Sequence, residues 1–155
     1  MFDYSLMDLK KLRHVYLGIV ILSIIALAFS IIILIQKTSY NPAIDNFCTA
    51  LNSQSQCEAV QQSLYAKTFG IDNPWFGIFG FVLLIIFAGL NYLKENRART
   101  RLIAAGGVFA GALALYFLYL QSFILKQYCV FCVIVDLISV ILLLASFYLT
   151  YKEYN

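Results

Sequence analysis

Four thiols and one carboxyl carry most of the chemistry that can be read from this chain. Cys129 and Cys132 form a Cys-x-x-Cys in "YCVFCVIVD", residues 128–136, and Asp136 closes the same stretch. At the start of a helix such a pair meets the positive end of the helix dipole and free backbone N–H groups, which favour thiolate and make the pair competent for disulfide exchange. The spacings of three and four residues place Cys129, Cys132 and Asp136 on one helical face. Cys48 and Cys57 lie in "CTALNSQSQC", a polar stretch able to travel between an aqueous partner and the second pair. Two pairs in series make a relay for electron pairs, and thiol–disulfide exchange then needs a final acceptor. Beside lipid the natural acceptor is a quinone, seated in an apolar cavity with one or two polar groups against its oxygens.

Each of these residues also has a plainer reading. Four cysteines outside a reducing compartment can form two static bridges. Against this, a purely structural pair has no need of an activating helix start, nor of a place at the lip of an apolar bundle. Zinc is the other use of two thiol pairs, but eight residues between Cys48 and Cys57 is not a zinc-knuckle spacing, and no metal is expected. An ionisable residue inside a span is a functional candidate by default. Asp136 is therefore either a neutral acid that donates a hydrogen bond or proton to a reduced quinone oxygen, or a packing group bonded to Ser139 or a facing Tyr.

The elements that must position these groups follow from composition. With 62% hydrophobic and only 12% charged residues and a mean hydropathy of +0.82, this is the balance of an integral membrane protein. At 155 residues one domain, 1–155, is expected. Four apolar runs approach the ~20 residues a helix needs to cross a hydrocarbon core: 15–35, 75–93, 102–124 and 128–149. None alternates with period two, so helices and not barrel strands are expected, giving an all-α four-transmembrane-helix bundle. The first run has a basic flank and an "ALA" at 26–28, features of a cleaved signal, but its apolar residues continue to Ile35, so a retained signal-anchor is expected.

Orientation comes from the basic residues. Lys10, Lys11, Arg13 and His14 precede the first span, and Lys94, Arg97, Arg99 and Arg101 crowd the second connection. Both segments are expected in the cytoplasm, with both chain termini, while the cysteine loop 36–74 and all four thiols face outward in the cell membrane. The net charge of +3 gives no reason to expect nucleic acid. Trp75 reads as an interface anchor, Asn73 before Pro74 as a helix N-cap, and Gly107-x-x-x-Gly111 as a close-packing face.

This arrangement resembles the vitamin K epoxide reductase family in its prokaryotic form. Cys57 is followed after six residues by Ser63 in "CEAVQQSLYAKTFG"; Phe69-Gly70 and Asn73 follow in "FGIDNPWFGIFGF"; and "CVFC" opens the last helix. The resemblance covers the chain from the loop pair through the last helix. It implies a four-helix bundle around a quinone, with a short extracytoplasmic cap helix over it. By that resemblance Cys48 exchanges with a separate thioredoxin-fold partner on the extracytoplasmic side, and Cys57 forms the interchange disulfide with Cys129. Cys132 then faces the quinone, Asn73 bonds one of its oxygens, and Ser63 stabilises the loop or a nearby thiolate. The implied activity is that of a membrane thiol:quinone oxidoreductase supporting disulfide formation, with ubiquinone, menaquinone or vitamin K as acceptor. Vertebrate members carry a tyrosine where this chain has Asp136, which favours a plain quinone over vitamin K epoxide, the alternative substrate. Quinone reductases of the DsbB type carry their Cys-x-x-Cys in the first outer loop instead. A disulfide-stapled membrane scaffold is the non-enzymatic alternative.

Overall fold

The computed structural model describes residues 3–39, 41–51 and 57–154. Four helices long and apolar enough to cross a membrane form the body: α1 (Asp3–Thr38), α4 (Asn73–Leu93), α5 (Arg97–Tyr119) and α6 (Val130–Tyr154). They are those expected from the apolar runs, with α1 longer at both ends, α4 and α5 starting earlier, and α6 starting two residues later than expected, at Val130, and running on to Tyr154. Between the first two spans lie α2 (Pro42–Leu51), the six-residue α3 (Cys57–Gln62), a single 3₁₀ turn (Leu64–Ala66) and a hairpin of β1 (Lys67–Thr68) and β2 (Ile71–Asp72). The cap implied by the family resemblance is thus two short helices and a hairpin. Residues 52–56, the polar centre of the expected carrier loop, lie outside the described residues.

The spans are arranged so that α1 packs on α4 and α6, and α5 on α6 and α4, with α5–α6 the most extensive pairing. Small residues explain that seam. A Cβ at Gly107 would collide with Ser146 Oγ and come within 3.0 Å of the Leu142 carbonyl, and one at Gly111 would lie 2.5 Å from Leu143 Cβ. The close-packing face read from Gly107 and Gly111 is therefore buried against α6. Outward faces carry Phe79, Phe109 and Leu144, all exposed in the isolated chain, as expected for side chains that meet lipid.

Polar groups lock the end of the bundle opposite the cysteines. Asn96 caps α5 by accepting from the N–H groups of Ala98 and Arg99 at 2.8 and 3.4 Å. Buried Asn91 donates to Thr100 Oγ1 at 3.0 Å, and the Thr100 hydroxyl lies 2.9 Å from Tyr16 Oη on α1. Arg13 sits over the Tyr92 ring, 4.7 Å from its centroid. Three spans are tied together there, next to the basic turn.

At the cysteine end, Phe69 and Gly70 both take positive φ, 53° and 80°, as a two-residue hairpin turn requires. The "FG" of the sequence is this turn. It pairs Lys67 with Asp72 and Thr68 with Ile71. Asp72 in turn holds Lys37 Nζ at 2.9 Å, and Lys37 also donates to the Ala66 carbonyl at 3.2 Å, so the hairpin is bolted to the end of α1.

Candidate functional site

The N-cap expected at Asn73 falls instead on Asp72, and Asn73 is the first helical residue of α4. The physical reason is the hairpin, which fixes the chain in extended geometry through Asp72 and spends its carboxylate on Lys37. Asn73 is then free to reach backward. Its Nδ2 donates to the Tyr65 carbonyl and its Oδ1 accepts from the Thr68 hydroxyl, both at 2.7 Å. Ser63 donates to the Val60 carbonyl at 2.7 Å, closing the end of α3. These two residues fasten the cap, and both also line the cavity described below.

Cys48 and Cys57 are joined in a disulfide, while Cys129 and Cys132 are free thiols. Cys48, Cys57 and Cys129 share one buried cluster with Ile33, Val60 and Phe131. The disulfide is sealed, with each of its cysteines 1% exposed. Its cover is aromatic: Phe131, between the two α6 cysteines, stacks on Phe29 of α1 at 5.9 Å and on Phe47 of α2 at 6.0 Å between ring centroids. Because Phe47 adjoins Cys48, this stack holds the first cysteine's helix down on the second pair.

Within the second pair the two sulfurs differ. Cys129 is fully buried and precedes α6. Its sulfur accepts from the Cys132 N–H at 3.3 Å, and the two sulfurs of the pair lie 2.7 Å apart. A backbone N–H donated to a sulfur favours its thiolate, the form that attacks disulfides. Cys132 lines a half-open cavity of about 600 Å³ whose walls come from the four spans and the cap. Its walls are mainly aliphatic and aromatic, with Gln61, Ser63 and Asn73 from the cap and Gln121, Cys132 and Asp136 from the α5–α6 side. That combination of apolar volume and few polar groups suits a flat, apolar ring bearing oxygens.

Asp136 shares the wall with Cys132, as its spacing implies, and is buried. Its partner is neither of those expected. Ser139 donates to the Val135 carbonyl, and Gln121 Nε2 donates to Asp136 Oδ2 at 3.2 Å. The same amide's oxygen accepts the Cys129 backbone N–H at 3.1 Å. Gln121 thus ties the carboxyl to the thiol pair. It does so from a π-helical segment, Leu120–Leu125, which continues α5 and ends at Lys126 in the left-handed region. Such segments recur at functional sites because the extra residue per turn re-aims side chains.

Two functional candidates, Gln61 and Gln121, were absent from the sequence reading. Gln61 had a signal, since it follows Cys57 by four residues and so shares its helical face. Gln121 had none, because the π turn that brings it inward leaves no spacing signature. Among the described residues, no group of three or more His, Cys, Asp or Glu could hold a metal ion.

Residues 17–147, most of the chain, match the family model described as the vitamin K epoxide reductase family. No curated protein sequence matches the chain.

Proposed function

The chain belongs to the vitamin K epoxide reductase family, a multi-pass membrane oxidoreductase family, and from that premise we propose a thiol:quinone oxidoreductase that takes electrons from an extracytoplasmic thioredoxin-fold dithiol. The observation that carries this reading is the division of labour between two neighbouring sulfurs. Cys129 packs with the Cys48–Cys57 disulfide, while Cys132 faces the apolar cavity.

The relay conserves electrons at each step. A partner thiolate attacks Cys48 once α2 has swung off Phe131, and the partner leaves oxidised with Cys48 and Cys57 reduced. Cys57 then attacks Cys129 of an oxidised Cys129–Cys132 pair; the 57–129 bond forms and Cys132 leaves as thiolate. Cys48 attacks Cys57, the 48–57 bond forms, and Cys129 leaves. The arrangement described above, with the first pair oxidised and the second reduced, corresponds to the point after this transfer.

In the cavity a quinone supplies the sink, taking up two electrons and two protons to leave as quinol. Cys132 presents its sulfur to the cavity, Asn73 and Gln121 bring amide groups to its lining from the cap side and the α5–α6 side, and the Asp136 carboxyl lies on the same wall as Cys132, placed to pass a proton to a reduced quinone oxygen. The apolar walls exclude water from the exchange. The topology that fits is the one with the cysteine cap outward and the basic turn in the cytoplasm.

The deciding experiment is quinone reduction by purified protein, with and without a thioredoxin-like dithiol donor. Donor-dependent quinol formation is expected, along with a mixed disulfide trapped on a Cys57 or Cys129 variant. A protein that reduces no quinone from any dithiol would leave the disulfide-stapled scaffold as the better reading. Asp136→Asn is expected to slow turnover, and full turnover with unchanged quinone affinity would remove Asp136 from the mechanism.

A further inference from the structure

Gln121 is buried where the start of α6, the Asp136 carboxyl and the apolar cavity meet. Its two hydrogen bonds fix its polarity. The Cys129 backbone N–H can only donate, so the amide atom 3.1 Å from it is the oxygen. The nitrogen must then face the other way, where it lies 3.2 Å from Asp136 Oδ2. An amide nitrogen has hydrogens to give and accepts none, so Oδ2 is an acceptor. In the acid form of Asp136 the proton is therefore on Oδ1. Among the described residues Oδ1 has no hydrogen-bond partner, and its accessible side is the cavity that Asp136 lines.

Capping alone does not account for this bridge. The Cys129 N–H just before α6 needs an acceptor, and Gln121 Oε1 supplies one. The Nε2 end, however, could be satisfied by a neutral amide or hydroxyl at less cost than by a carboxyl placed within a span. The bridge also requires a break in regular helix, because Gln121 sits in the π segment Leu120–Leu125. Cys132, one helical turn before Asp136, lines the same wall.

We propose that Gln121 is a positioning residue for proton transfer: by donating to Oδ2 it keeps the Asp136 proton on Oδ1, aimed into the cavity. This rests on the quinone reduction proposed above and names the residue that directs its proton. In that step the Cys129–Cys132 bond forms as the pair is oxidised, its two electrons reduce the quinone, and Oδ1–H protonates the nearer quinone oxygen. The two protons of the reduced pair complete the balance. One passes from Cys132 to restore the Asp136 acid, and the other reaches the second quinone oxygen, so the product leaves as quinol. Gln121 gives up nothing and acts through Asp136.

The test uses the full chain in detergent. Gln121→Glu keeps an acceptor for the Cys129 N–H and removes the donor to Oδ2, whereas Gln121→Met removes both. In the reduced protein without quinone, the infrared difference between wild type and Asp136→Asn should show a carboxylic acid C=O band. Both Gln121 variants should move that band, to higher frequency in Gln121→Met. With quinone and dithiothreitol, Gln121→Glu should lower kcat about a hundredfold, the low end of what a positioned acid contributes, while KM for quinone changes less than about twofold. In an Asp136→Asn background it should lower kcat no further. A band that stays in place in both variants would overturn the proposal, as would an ionised Asp136 in the wild type. An equal further loss of kcat in the Asp136→Asn background would overturn it too, because it marks a purely structural role. If Gln121→Met does not fold, Gln121→Glu decides alone by the same criteria. A wild type that reduces no quinone overturns the proposed function and the proton step with it, whereas an unmoved band beside normal wild-type turnover overturns the role of Gln121 alone.

Discussion

The α5–α6 and α4–α5 seams both carry small residues, and they use them in opposite ways. Along α5–α6, Gly107 and Gly111 admit α6 so closely that any side chain would strike Ser146 or Leu143. Along α4–α5, a Cβ at Gly106 would meet only Leu84, at 3.4 Å, and the helices spread from their joined end at Asn91 and Thr100 around the cavity. Smallness on the first seam brings backbones together, and on the second it keeps volume open. The closed seam fixes α6, and therefore Cys132 and Asp136, as a rigid wall; the open seam leaves the space they face.

The largest expected effect comes from filling the closed seam. Gly107→Val should destabilise the bundle by at least about 3 kcal/mol, the upper range for overpacking, seen as a lowered thermal midpoint in detergent. A wild-type midpoint would mean that the seam is not the rigid one. The mirror experiment fills the open seam. Gly106→Phe should fold normally yet lower quinone turnover at least about tenfold, the equivalent of ~1.4 kcal/mol of lost binding or positioning; normal turnover would place the quinone elsewhere. Between the two seams stands Gln121, whose replacement by Leu should cost about 1–3 kcal/mol in unfolding free energy through its two lost buried hydrogen bonds. A Gln121→Leu/Asp136→Leu pair should lose less than the sum of the single changes, because the two side chains are partners.

The smallest effect concerns the bolt over the cavity. The Lys37 hydrogen bond, followed by the Lys37 and Lys67 charges, holds the Asp72 carboxyl below its ordinary value of 3.8. Its contribution is therefore complete at neutral pH and is lost as the pH falls through that lowered value. Amide protection in residues 67–72 should drop under acid in the wild type, and Asp72→Asn should show the loosened hairpin already at neutral pH. A hairpin equally protected in both would leave the ion pair without a role.

The spans, the closing role of Gly107 and Gly111, and the shared face of Cys132 and Asp136 were legible because hydropathy and helical period act locally. Asn73 was misplaced by one position because a two-residue hairpin, set by Phe69 and Gly70, decided where α4 could begin. The Asp136 partner was hidden for a different reason. A π turn breaks the period on which facing residues are counted, so Gln121 comes into register with Asp136 only after the chain has folded. Phe131 read as one more apolar residue between two cysteines; its stacking on Phe29 and Phe47 depends on α2, whose placement no local pattern gives.

That aromatic stack has a consequence for where electrons can leak. Thiolates and disulfides react with dissolved oxidants and small thiols in proportion to their exposure. Cys48, Cys57 and Cys129 are all buried in the cluster with Phe131, and in the proposed relay this would insulate the electron pair from the aqueous side and leave Cys132, which lines the apolar cavity, as its outlet. On that proposal a macromolecular donor that binds and displaces α2 would connect to the pair, whereas a diffusing small thiol or peroxide would meet a closed face. The ring in the middle of the "CVFC" motif would in this sense be a piece of wiring, keeping the proposed relay from short-circuiting between its input and its output.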